Sequence, residues 1–246
     1  MKSAPLSEHI CAELRDEILR GRFRSGERLP SERDLAQRFD VHRGAVREAL
    51  KTLEQLGLAK VHAGGARVSP VEEASLDVVE HMLALSDPPD PKLVGELFEA
   101  VSGLMGLAVR LCVERGDDEQ RAHALGLLAE LSREDLSDSE EFALFEQFSE
   151  VITRASGNTV IMLVRRGLKT QFIGRIHDRE KILATGGESR VPIVSDLARA
   201  FEERDGPAAT EAAFRLGASM REGAVLRLQA RTSSDDPHDE GKGGEV

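Results

Sequence analysis

The sequence predicts a mainly α-helical protein with one small β-hairpin near its N-terminus. Three observations carry that reading. Apolar residues recur at helical spacing along most of the chain, strand-like runs occur only around residues 58–69, and charge is divided unevenly between the two ends. At 246 residues, 40% hydrophobic and 31% charged, the chain is long enough for two domains with cores of their own. Its formal net charge of −11, taken whole, argues against a nucleic-acid partner. Residues 1–70, however, carry 13 Lys/Arg against 10 Asp/Glu, a net of +3. The remaining 176 residues carry 20 against 34, a net of −14. A basic module joined to an acidic one is the expected organisation.

The elements follow in order. Ile10, Leu14, Ile18 and Leu19 fall at helical spacing and Gly21 stops that helix. After the connection Arg22 to Pro30, Ser31 is a good N-cap with Asp34 in the reciprocal position, so Leu35, Ala36 and Phe39 belong to a short second helix. A third runs from about His42 to Leu56, with Val46, Ala49, Leu50, Leu53 and Leu56 on one stripe, and Gly57 ends it. Leu58 to Val61, the turn Ala63-Gly64-Gly65, and Ala66 to Ser69 read as a hairpin closed by Pro70. Beyond Val71 helices are expected at 72–86, 91–115, 117–133, 138–155, 158–185, 189–204 and 207–230, separated by Pro- and Gly-containing breaks. Residues 232–246 are almost free of apolar side chains and are expected to form a disordered acidic tail. The expected domains are therefore 1–70, 71–231 and that tail.

Two short helices joined by a tight turn, followed by a hairpin, make a winged helix-turn-helix, whose second helix enters the DNA major groove. That helix begins with Val41-His42-Arg43-Gly44-Ala45-Val46-Arg47. Arg43 and Arg47 are four apart and share a face away from Val46, Leu50 and Leu53. A guanidinium can donate two parallel hydrogen bonds to O6 and N7 of guanine. Gly44 leaves room for close approach, Arg33 is placed to reach a phosphate or base, and His62 with Gly64 and Gly65 suits a wing in the minor groove. Singly, each feature has a plainer explanation: surface arginines are usually solvated, and Gly-Gly satisfies a turn. Their combination in this order makes DNA binding the better reading.

The runs Leu29-Pro30-Ser31-Glu32-Arg33-Asp34-Leu35-Ala36, Val41 to Leu50 and Leu53-Glu54-Gln55-Leu56-Gly57-Leu58 resemble the DNA-binding domain of the GntR family of bacterial transcription regulators. The resemblance puts Arg33, Arg43 and Arg47 on that family's DNA-contacting arginines, and His62 and Gly64 on its wing. His42 and Gly44 stand where hydroxyl residues are commoner. The helical remainder is similar to the FadR-type domain, an all-α bundle that binds an effector and forms dimers. Many members carry an Asp-x-x-Phe-His metal motif before the junction seen here as Ala155-Ser156-Gly157-Asn158. Here Phe145 and Ser149 take the Asp and His positions, Phe148 keeps the Phe, and Val194 and Ala218 stand near the later histidines. The resemblance thus implies no metal and no other cofactor. It implies an apolar pocket with a cationic mouth, as in the members that bind acyl-coenzyme A.

Other chemistry finds little support. No apolar run approaches a membrane span, Met1 to Leu14 does not read as a signal peptide, and Cys11 and Cys112 suit reduced thiols in a cytoplasm. The seven histidines show no zinc spacing, and no phosphate loop or nucleophile elbow occurs. Glu140, Glu141, Glu146 and Glu150 read as a solvated face. Phe142, Phe145 and Phe148, and Ile161, Leu163, Val164 and Leu168, read first as core and second as pocket lining. Arg165-Arg166 with Lys169, and Arg175 with Arg179, could meet an anionic headgroup, though salt bridges in an acidic domain explain them too. The expected protein is a homodimeric, ligand-responsive repressor on a short palindromic duplex operator, in the cytoplasm and with no membrane partner. Its effector site would draw on Arg165, Arg175, Phe145, Phe148 and Ser149, for a fatty acyl-coenzyme A, a related lipid metabolite or an organic acid. The alternatives are a metal-dependent sensor of small carboxylates and an enzyme with a DNA-binding appendage.

Overall fold

The computed structural model describes residues 6–171, 182 and 190–234. The chain divides into two compact units, Met1–Leu85 and Ser86–Val246.

In the first unit, α1 (Leu6–Leu19), α2 (Glu32–Arg38) and α3 (Arg43–Gln55) precede an antiparallel hairpin of β1 (Ala59–His62) and β2 (Gly65–Val68). Ile10, Leu14, Leu35, Val46, Leu53 and Leu58 are almost completely buried and tie the three helices to the hairpin. Ser31 caps α2: its hydroxyl accepts from Asp34 N at 3.2 Å and donates to the Asp34 carboxylate at 2.6 Å. That bond holds the Asp34 carboxyl below its ordinary range. Such a cap contributes about 1 kcal/mol. At the end of α3, Leu58 N donates to Leu53 O and Gly57 N to Glu54 O, a Schellman closure. Gly57 has φ +72°, and a Cβ there would lie 2.5 Å from Glu73 O, so position 57 needs glycine twice over.

The connection before α2 also has structure. Leu29 N donates to Ala66 O, Val68 N to Glu27 O and Gly26 N to Val68 O, so residues 26–29 run beside β2. Glu17 of α1 clamps the other side, accepting from Arg38 at 2.7 and 2.9 Å and from Arg22 at 3.1 Å.

The helix expected over 72–86 is instead a 3-10 turn, Val71–Glu73, and a short helix, α4 (Val78–Leu83). Tertiary contacts break it: Ser75 N is drawn to Leu56 O, and Glu73 and Ala74 fill the space that Gly57 leaves. Val78 joins the first unit's core, so this segment packs with the N-terminal elements.

The second unit contains α5 (Pro91–Arg115), α6 (Asp118–Leu131), α7 (Asp138–Ala155), α8 (Thr159–Gln171), α9 (Arg190–Glu202) and α10 (Gly206–Ser234). Local chemistry starts them. Asp90 precedes Pro91 and accepts from Lys92 N, while Asp117 with Gln120, and Ser137 with Glu140, form capping boxes. Residues 232–234, expected in the tail, are helical because α10 continues through them; the Thr232 and Ser233 hydroxyls bond carbonyls four residues back. Residues 235–246 lie outside the described residues.

Valines, leucines and phenylalanines from α5, α6, α7, α9 and α10 form one core. Arg190, at the start of α9, is fully buried: its guanidinium donates to the buried Glu141 carboxylate and to Arg133 O. Glu141 is therefore not on a solvated face. Leu163, expected in the core, is 63% exposed. Cys11 and Cys112 are buried free thiols, and burial pushes Cys112 up to about 11. No described helix is long and apolar enough to cross a membrane.

Candidate functional site

The first candidate is the exposed surface of α3 with the hairpin. Burial of Val46, Ala49, Leu50 and Leu53 against α1 and the hairpin turns Arg43, Gly44 and Arg47 to solvent. His42 is the N-cap, yet its side chain makes no capping bond, so the imidazole is left exposed at the helix start. Arg43 has no ion-pair partner among the described residues. Arg47 does: its Nε donates to Glu32 Oε2 at 2.8 Å, tying α3 to the start of α2. With Nε engaged, the two terminal nitrogens of Arg47 are the pair left for an external acceptor. Arg33 is 76% exposed, with only a loose 3.6 Å contact to Asp34. A Cβ placed on Gly44 would touch nothing within 4 Å, so the free protein has no steric need of glycine there.

The hairpin tip carries His62, Gly64 and Gly65, with His62 paired to Gly65 in register. It is fixed from both flanks. Arg28 donates to Gly64 O and its guanidinium covers Gly65, while Glu54 accepts from Val61 N at 2.8 Å. A loop so tethered presents its tip at a set angle.

The second candidate is a cavity of about 160 Å³ in the second unit, bounded by α5, α7 and α10 with Leu197 of α9. Phe98, Met105, Phe145, Phe148, Leu216 and Met220 give it an apolar lining. Phe148 stacks at an angle on Phe201, ring centroids 6.2 Å apart. Ser102 Oγ faces the space but donates to Phe98 O at 2.7 Å. A smaller cleft of about 80 Å³ shares Leu97, Val101, Met105, Glu146 and Ser149 with it, and adds Arg165 and Lys169. Lys169 Nζ lies 2.6 Å from Glu146 Oε2, and Arg165 donates to Glu146 O at 3.0 Å.

Residues 6–68 match the family described as bacterial regulatory proteins, gntR family, and residues 96–218 match the FCD domain. The chain is 30% identical over 193 residues to the uncharacterized HTH-type transcriptional regulator Rv0494 of Mycobacterium tuberculosis, covering 78% of this chain and 77% of that protein. It is 32% identical over 181 residues to the HTH-type transcriptional repressor NanR of Salmonella newport, covering 71% and 69% respectively. The chain belongs to the GntR family. A solved structure of Lar, described as controlling the Listeria monocytogenes agr system, aligns with TM-score 0.50 and 17% identity over 93% of this chain and 100% of that one, a likeness of fold alone. As a GntR-family protein with an FCD domain, the chain is a ligand-responsive, DNA-binding transcription regulator and not an enzyme.

In this GntR-family chain, the structure groups Phe145, Phe148 and Ser149 on one cavity and puts Arg165 on the adjoining cleft. Arg175 lies outside the described residues, as do His177 and Arg179. The metal site found in many FCD domains does not fit this donor set. Phe145 and Ser149 offer a phenyl ring and a hydroxyl, Val194 is core and Ala218 is an exposed methyl. Among the described residues no three His, Cys, Asp or Glu side chains are grouped to hold an ion. Sequence reasoning missed Glu32 and Arg28, whose partners lie 15 and 36 residues away. It also placed Glu146 on a solvated face, whereas that side chain is only 20% exposed and lines the cavity. Its position one turn from Phe142 and near Phe145 on α7 was the signal available.

Proposed function

We propose that this protein is a FadR-type repressor that binds a short palindromic operator as a homodimer in the cytoplasm. Release would follow when an apolar effector, a fatty acyl-coenzyme A or related lipid metabolite, occupies the cavity of the FCD domain. The observation that supports the DNA half most is the outward pair Arg43 and Arg47 on α3, one free of ion-pair partners among the described residues and one held by Glu32. Arg43 and Arg47 read guanine edges, Arg33 meets the backbone or a base, and His42 and Gly44 lie against the groove wall. His62, Gly64 and Gly65 enter the neighbouring minor groove. A two-fold dimer requires a two-fold operator, and the net of −14 after residue 70 repels DNA from the rest of the chain.

The effector half rests on the apolar cavity lined by Phe145 and Phe148, with Arg165 close by. A ligand that favours the DNA-incompetent state shifts the population and lowers operator affinity by its differential binding. The test is direct. A duplex operator is selected from a random library with the full chain, and its binding is titrated with and without acyl-coenzyme A thioesters and free fatty acids. Loss of operator binding on adding one of these, with a two-fold symmetric selected site, supports the reading. An asymmetric site, or indifference to every lipid ligand, contradicts it.

A further inference from the structure

We infer that the effector of this cavity is a free monocarboxylate with an apolar tail, its carboxylate held at the cleft by Lys169 and Arg165 in competition with Glu146. This rests on the effector reading above and narrows it. Among the described residues, the charged groups lining the cavity and its adjoining cleft are Glu146, Arg165 and Lys169, a surplus of one positive charge beside an apolar chamber. A monoanion balances that surplus. A neutral ligand leaves it, and a polyanion overshoots it.

The geometry agrees. Arg165 is anchored through its bond to Glu146 O and is 17% exposed, so it is a fixed donor rather than a roaming one. Glu146 Oε2 is out of solvent contact and close to Lys169, yet out of hydrogen-bond alignment with it. Lys169 is half exposed and has donors to spare. Ser149 sits on the wall common to both spaces, where its hydroxyl can donate to a second carboxylate. The cleft places a carboxylate, with ordered water, within reach of Arg165 and Lys169 at the edge of the apolar chamber. Apolar walls on one side and paired cations on the other orient an amphiphile tail-in.

The experiment measures binding to the full chain by calorimetry for straight-chain carboxylates, alcohols of matching length and their coenzyme A thioesters. The wild type is compared with Lys169→Met and Glu146→Gln. The carboxylate is expected to bind best, to weaken roughly tenfold in K169M, and to tighten in E146Q, while the alcohols respond to neither change. If alcohols or thioesters bind as well as carboxylates and K169M changes nothing, the monocarboxylate inference is overturned while the lipid-effector reading stands. If no member of the three series binds, the lipid-effector reading itself fails, and the inference with it. Retention of the wild-type melting temperature by K169M shows that its loss of affinity is not loss of fold.

Discussion

Gly217 on α10 faces Ser102 on α5 so closely that a Cβ at 217 would lie 2.7 Å from Ser102 Cβ and closer still to its hydroxyl. Both residues line the cavity. Helices α5 and α10 therefore approach as they do because one of the pair lacks a side chain. Gly217→Ala should destabilise the protein by about 1–3 kcal/mol, despite the better helix propensity of alanine. Adding Ser102→Gly should restore much of that loss, and denaturant titration of the double-mutant cycle should give a coupling of about 1 kcal/mol or more. Additive effects would show that the helices move apart freely.

Acid should undo the clamp on α1. Arg38 first, and Arg22 after it, hold the Glu17 carboxyl below its ordinary range. A depressed carboxyl contributes stability that is complete above the unfolded value, near 4.3, and is lost as pH falls through the lower folded value. Glu17→Gln should therefore cost about 1–3 kcal/mol at neutral pH, with the gap to wild type closing below about pH 4. A gap unchanged from pH 7 to pH 3 would show that the carboxylate charge is not what matters.

The buried pair of Arg190 and Glu141 should behave asymmetrically. Arg190→Met strands the Glu141 carboxylate and Arg133 O, and should cost about 3–5 kcal/mol. Arg190→Met combined with Glu141→Leu removes both charges and should recover most of it. Thermal unfolding of the three proteins decides; a double variant as weak as the single one would mean that packing, not stranded charge, sets the cost.

Gly44 separates folding from binding. With open space around it, Gly44→Ala should leave the melting temperature unchanged or raise stability by up to about 1 kcal/mol. Operator affinity should nevertheless fall, because the added methyl occupies the surface proposed to meet DNA. Equal affinity in gel-shift titrations would remove Gly44 from the interface.

Local rules explain what could be read in advance and what could not. Asp90-Pro91 and Ser137 with Glu140 announce their helices within a few residues, because caps are built from neighbours in sequence. The stripe Val46, Leu50, Leu53 likewise told which face of α3 would be outward. The segment 72–86 has helical composition, but its fate is decided by Leu56 O and the gap at Gly57, contacts that no local pattern displays. Glu141 and Glu146 looked alike on paper. One is paired with an arginine 49 residues later and the other lines a cavity, since α7 has neighbours on more than one side. For the same reason the wing was legible but its tether, Arg28 on Gly64 O, was not.

The central claim is that α3 reads base edges through Arg43 and Arg47. It is tested most directly by equilibrium binding of wild type, Arg43→Ala and Arg47→Ala to the selected operator and to its single-base-pair variants. Each variant should lose about 1–3 kcal/mol on the operator, and should stop discriminating at the one position its arginine reads. Unchanged operator affinity in both, or uniform weakening with base preference intact, would contradict it.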